Sequence, residues 1–243
     1  MSAFYQEELK KLDVVTHLEE LRRRILVSLV VLVIISIFAF MQGDKILAIV
    51  KRPIRTLVPD LIYIGPTEAF VSYLKISLLT GFIIGFPVIL YHAWAFISPA
   101  ILKEIRGRIV IWFIFALALF MTGITFSYYV AIPAALKFLI NFGQDVAIPR
   151  ITLGKYVSFF GALIMVGGIV FEIPVVMALL TDAGIIKTRV LREKRHFAVL
   201  IIMIFAAVIT PTQDVLNMLM FAIPMVLLYE VGLLISKAIE RRK

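Results

Sequence analysis

Residues 109–136 read IVIWFIFALALFMTGITFSYYVAIPAAL, 28 consecutive positions without a charge. As an α-helix rising 1.5 Å per residue, this stretch is about 42 Å long. A hydrocarbon core about 30 Å thick is crossed by roughly 20 apolar residues. In lipid, only helices and closed barrels satisfy every backbone hydrogen bond. Barrel strands are about 10 residues long and alternate in polarity. This run is long, unbroken and does not alternate, so it reads as a transmembrane helix.

The same pattern extends outward on both sides. Ile25–Gly43, Ile76–Leu102 and Phe197–Gln213 are charge-free, Tyr156–Thr181 carries only Glu172, and Val215–Ser236 carries only Glu230. Over all 243 residues, 62% are hydrophobic and 17% are charged, too much apolar surface for a soluble domain of this size to bury. The expectation is one all-α membrane domain over 1–243. Its six transmembrane helices would form a concave bundle, with approximate spans at 25–43, 72–97, 109–131, 156–181, 196–210 and 215–235.

Charge fixes the expected orientation. Of 25 Lys and Arg residues, 17 lie in the amino-terminal head, the 103–108 gap, the 187–195 gap and the carboxy-terminal tail; eight lie in the alternate gaps. Basic residues favour the cytoplasmic side, so both termini are expected in the cytoplasm, with the chain in the inner (cytoplasmic) membrane. The +9 net charge is then chiefly a topology signal. Its cations are divided among four short segments and no nucleic-acid motif accompanies them, so no nucleic-acid partner is expected. They suit the anionic headgroups of the bilayer. The first run follows a polar head and ends in Phe38-Ala39-Phe40-Met41, without a small-residue cleavage pattern. It reads as a retained anchor.

The loops are uneven. Asp44–Lys75 contains Pro53, Pro59 and Pro66, too close together for one continuous helix, and Pro133–Lys155 contains Pro149. Both should run along the outer surface as short pieces. Thr210–Asp214 is a tight turn, which leaves the fifth span short, with 13 apolar residues from Phe197 to Ile209. Pro87, Pro174 and Pro224 should each kink a helix.

Enzyme signatures are missing: no HExxH, no GxSxG, no Walker loop and no dinucleotide fingerprint. Cysteine is absent, which excludes disulfides and thiol chemistry. The three histidines, His17, His92 and His196, fall in separate segments, so no metal is expected, nor any cofactor. In the head, Thr16 and Glu19 have capping-box spacing, which places a helix start there. Glu20 and Arg24 are spaced for an i,i+4 ion pair. A charged Glu172 inside span four would cost about 2.5–3.5 kcal/mol on insertion scales, so it is expected to be protonated or hydrogen-bonded. Glu230 can snorkel or pair with Lys237.

His17-Leu18-Glu19-Glu20-Leu21-Arg22 resembles the amino-terminal motif of the TatC family, the multispanning subunit of the twin-arginine protein translocase. Trp94-Ala95-Phe96-Ile97-Ser98-Pro99-Ala100, Phe171-Glu172-Ile173-Pro174, Thr210-Pro211 through Asp214, and Pro224 through Tyr229-Glu230 resemble further family motifs in order. The resemblance covers essentially the whole chain. It implies a receptor for signal peptides that carry paired arginines, with no covalent chemistry and with energy from the proton-motive force. The family's receptor acids carry over to Glu20 and Glu104, and Leu21, Arg22 and Phe96 belong to the same motifs. Glu172, Thr210 and Asp214 carry over to a polar region of contact with TatA- and TatB-like single-span partners, in an oligomeric complex. Carboxylates bind guanidinium bidentately, which favours Arg over Lys. A basic cytoplasmic face repels a di-arginine ligand at long range, so recognition has to rest on short-range pairing and on apolar contact. The rival reading is a small-solute secondary transporter, which a buried acid and kinked helices would suit.

Overall fold

In a computed structural model, residues 2–58, 60–97, 109–143, 149–209 and 215–241 are described. They form helices α1 (Ser2–Met41), α2 (Gly43–Arg55), α3 (Pro66–Ile97), α4 (Ile109–Phe126), α5 (Ile132–Gly143), α6 (Leu153–Val170), α7 (Ile173–Asp182), α8 (Thr188–Glu193), α9 (Arg195–Ile209) and α10 (Val215–Glu240). A π-helical segment, Ser127–Ala131, joins α4 to α5. Among the described residues the only strand-like pairing is an isolated bridge between Ile62 and Thr152.

Among the described residues five stretches are long and apolar enough to cross a membrane: Thr16–Met41, Pro66–Phe96, Val110–Phe142, Leu153–Asp182 and Phe221–Glu240. The expected short fifth span is α9, 15 residues or about 22 Å. Exposed Leu29, Val30, Val33, Ile37 and Phe38 on α1 form a surface suited to lipid.

Several boundaries differ from expectation. The head does not start a helix at Thr16: α1 runs from Ser2, so Thr16 and Glu19 sit inside a helix and form no capping box. The Glu- and Lys-rich head is itself a good helix former. Nor does Pro133 open a surface loop. It is the second residue of α5, which continues span three. Proline has no N–H and crowds the preceding turn. The chain adapts by widening: Ile132 N–H reaches back to Ser127 O, which absorbs one extra residue. Pro53 lies inside α2. The helix at Pro174 is interrupted, with α6 and α7 parted at Phe171–Glu172; α3 and α10 run through Pro87 and Pro224 as single helices.

Three apolar clusters hold the bundle. Ile54, Ile76, Ile132, Tyr156 and Leu163 join α2, α3, α5 and α6. Met177, Ile202, Ala206, Met225 and Tyr229 join α7, α9 and α10. Trp94, Ala116 and Val175 join α3, α4 and α7. Lipid tails are as apolar as Leu, so helices associate through close packing at small residues. A side chain on Gly81 would collide with Ser36 of α1, and one on Gly167 would collide with Ser127.

At the end opposite the chain termini, Tyr156 OH donates to Val50 O at 2.6 Å and Tyr128 OH to Ile49 O at 2.9 Å. There the Glu68 carboxylate accepts from Ile64 N–H at 2.9 Å and Gly154 N–H at 2.7 Å. One acid thereby ties together the two loops that the Ile62–Thr152 bridge also pairs.

Candidate functional site

Glu20 lies five positions ahead of the first apolar run, on α1. Its carboxylate accepts from Arg24 Nε at 3.0 Å, and Arg24 Nη2 is closer still. His17 Nδ1 stands 3.8 Å from the other carboxylate oxygen. The Arg24 hydrogen bond holds the Glu20 carboxyl below its ordinary value, against a smaller opposing effect of desolvation; His17 acts in the same sense as Arg24. The i,i+4 pair expected from the sequence is therefore formed.

His17 also reaches across to α3. Its ring stacks on Phe96, with centroids 4.3 Å apart and planes 12° apart. This contact fastens the polar head to the last turn of α3. Between the two helices runs a groove of about 400 Å³, walled by Leu21, Ile25 and Leu29 from α1 and by Phe82, Ile89 and Phe96 from α3. Arg24 lines its polar end, and so does His92, whose Nδ1 has no hydrogen-bond partner among the described residues. Glu20 stands beside this end, bonded to Arg24. The arrangement is an apolar trough with an internally paired carboxylate and guanidinium at its mouth, so a ligand with a cationic end and an apolar body meets the carboxylate only by displacing Arg24.

Of the expected site residues, Leu21 and Phe96 line this groove, Glu20 stands beside it through its bond to the lining Arg24, and Arg22 is exposed on α1. Glu104 lies outside the described residues, as do Thr210 and Asp214. Glu172 sits at the break between α6 and α7, half-buried, and its Oε1 has no hydrogen-bond partner among the described residues. It does not line the α1–α3 groove. Glu230 does not pair with Lys237; its Oε1 lies 2.6 Å from Arg195 Nε. Among the described residues no cluster suits a metal, and His17 and His92 stand instead at the groove. Their places at the groove have no signature in the sequence beyond the nearness of His17 to Glu20.

Comparison with known proteins gives a consistent result. The family model described as Sec-independent protein translocase protein (TatC) matches residues 16–224. A protein of that name from Carboxydothermus hydrogenoformans is 37% identical over 234 residues, covering 96% of each chain. One from Aquifex aeolicus is 38% identical over 231 residues, covering 93% of this chain and 95% of the relative. A solved structure titled as the twin arginine translocase receptor TatC superposes with a TM-score of 0.82 at 37% identity, covering 92% of this chain and 99% of the other. The chain therefore belongs to the TatC family and is a receptor and core subunit of the twin-arginine translocase.

Proposed function

We propose that this receptor binds the twin-arginine signal peptides of folded cargo at the mouth of the α1–α3 groove. Glu20 takes a guanidinium of the paired arginines and Glu104 completes the grip. The peptide's apolar stretch lies along Leu21 and Phe96, and Arg22 orients the approach. The observation that supports this is the Glu20–Arg24 pair: the carboxylate already holds a guanidinium from its own chain, in the geometry an incoming arginine would need. Binding is then an exchange, in which a ligand arginine displaces Arg24. Exchange suits a basic face, because the ligand meets no uncompensated charge until it is in place.

In this reading the termini face the cytoplasm, the chain sits in the inner membrane and no covalent step occurs. Glu172, Thr210 and Asp214 contact TatA- and TatB-like single-span partners within an oligomeric complex, with translocation driven by the proton-motive force.

The test is photo-cross-linking from positions 20 and 104 to a twin-arginine peptide, run beside its twin-lysine version. Cross-links at both positions that fall with the twin-lysine peptide support the reading. Equal labelling by both peptides, or unchanged labelling in a Glu20→Gln/Glu104→Gln variant probed from a neighbouring position, overturns it and leaves room for a solute transporter.

A further inference from the structure

A second pocket lies away from the groove, where α8 and the start of α9 meet the last turns of α10. It encloses about 400 Å³ and is lined by Thr188, Arg189, Arg192, Arg195, Lys237 and Leu234, with Glu230 and Glu240 also on its wall. Two of its four cations are committed. Arg189 Nε is 2.7 Å from Glu193 Oε1, and Arg195 Nε is 2.6 Å from Glu230 Oε1. Arg192 and Lys237 have no ion pair among the described residues.

Thr188 adds an independent observation. It is 7% exposed and its hydroxyl has no hydrogen-bond partner among the described residues, although it lines the pocket. A buried hydroxyl without a partner is destabilising, and an acceptor oxygen delivered to this pocket would relieve that cost. Two uncommitted cations and one unpaired donor converge on a single space. That donor set matches a phosphate group, with charge-assisted bonds from Arg192 and Lys237 and a neutral bond from Thr188.

The pocket's apolar side indicates what carries the phosphate. Leu234 is 67% exposed, and Leu227, about two turns earlier on α10, is 61% exposed, so the pocket opens onto a face suited to acyl chains. Glu240 at the rim disfavours a freely diffusing dianion more than a phosphodiester anchored by its lipid.

We propose that this pocket is a binding site for the headgroup of an anionic glycerophospholipid, with Arg192, Lys237 and Thr188 holding the phosphodiester and the acyl chains descending along Leu234. The site braces α8 against α10 beside the short α9.

The full chain, delipidated in detergent, is titrated with phosphatidylglycerol, with phosphatidylcholine and with inorganic phosphate, and bound lipid is counted by native mass spectrometry. Phosphatidylglycerol should bind at least fivefold more tightly than phosphatidylcholine, and inorganic phosphate at millimolar concentration should not displace it. Arg192→Gln/Lys237→Gln should lower phosphatidylglycerol affinity at least fivefold and Thr188→Val about twofold, with Arg192→Lys retaining most of it. Lys137→Gln, which removes a cation from an exposed position on α5, should leave it unchanged. Thermal unfolding of each variant verifies folding. Equal affinity in the double variant, an equal loss in Lys137→Gln, or displacement of the lipid by phosphate each overturns the proposal.

Discussion

His17 and Phe96, 79 positions apart in sequence, stack ring on ring at 4.3 Å. The contact joins the helix that carries Glu20 to the end of α3, from which the chain continues toward Glu104.

Breaking this stack should show coupling. His17→Ala and Phe96→Ala, alone and together, should give an interaction energy of about 0.5–1.5 kcal/mol in a double-mutant cycle. Thermal unfolding in detergent reads it, and the double variant should bind signal peptide no worse than the weaker single one. Strictly additive losses would show that the rings are neighbours without consequence.

The exchange at Glu20 has a signed outcome. Exposed ion pairs are weak and easily exchanged. Arg24→Gln should therefore tighten twin-arginine peptide binding about two- to fivefold by fluorescence anisotropy, whereas Glu20→Gln should weaken it. Arg23→Gln removes the same charge without touching Glu20 and should have a smaller effect. Arg24 lowers the Glu20 pKa, so losing Arg24 raises it. The acid side of the binding profile should then move to higher pH in Arg24→Gln.

Glu68 makes a similar prediction at the other end of the bundle. Glu68 lies in the first turn of α3, ahead of the charge-free run that begins at Ile76. The Ile64 N–H and, next, the Gly154 N–H hold the Glu68 carboxyl below its ordinary value of 4.5. A carboxyl whose folded pKa is lowered contributes stability that is present above the unfolded value and lost as pH falls through the folded one. Hydrogen-exchange protection at Ile64 and Gly154, taken relative to the intrinsic rate at each pH, should therefore fall below pH 4.5 in the wild type, and at neutral pH in Glu68→Gln. Protection that is indifferent to both changes would refute the clamp.

The short α9 should thin the bilayer beside it. A helix of about 22 Å in a core of about 30 Å draws the lipid inward or relies on snorkelling flanks. Spin labels along exposed Leu200, Ile204 and Val208 should report less depth than labels at matched positions on α1. Equal depth profiles would remove the expectation.

Much of the architecture is legible in the sequence because lipid imposes one rule, and uncharged runs of sufficient length reveal it. The Glu20–Arg24 pair is legible as well, since i,i+4 spacing is local. The longer reach of α1 was missed because a capping box marks a helix start only where the preceding residues refuse to be helical, and these residues do not refuse. Proline reads ambiguously for a related reason. At Pro174 the chain breaks, at Pro133 it widens, and at Pro87 and Pro224 helices continue, according to whether neighbours resupply the lost bond. The groove was invisible: Ile25 and Leu29 line it while Val30 and Val33 do not, yet all four are the same kind of residue. Glu230 chose Arg195 over Lys237 through the packing of α9 on α10, which no spacing within one helix encodes.

The Glu68 clamp has a mechanical consequence. One edge of the bundle is stitched by two backbone hydrogen bonds to a single acid, a bridge between loops and two tyrosine hydroxyls buttoned onto α2. The α1–α3 seam at the opposite edge is closed at its rim by a ring stack that can be undone without breaking a helix, and the Glu20–Arg24 pair, which lies within α1, ties nothing across it. When cargo arrives, strain will be taken up where the fastenings are weakest, so the bundle should splay at its receiving rim while the far edge keeps its shape.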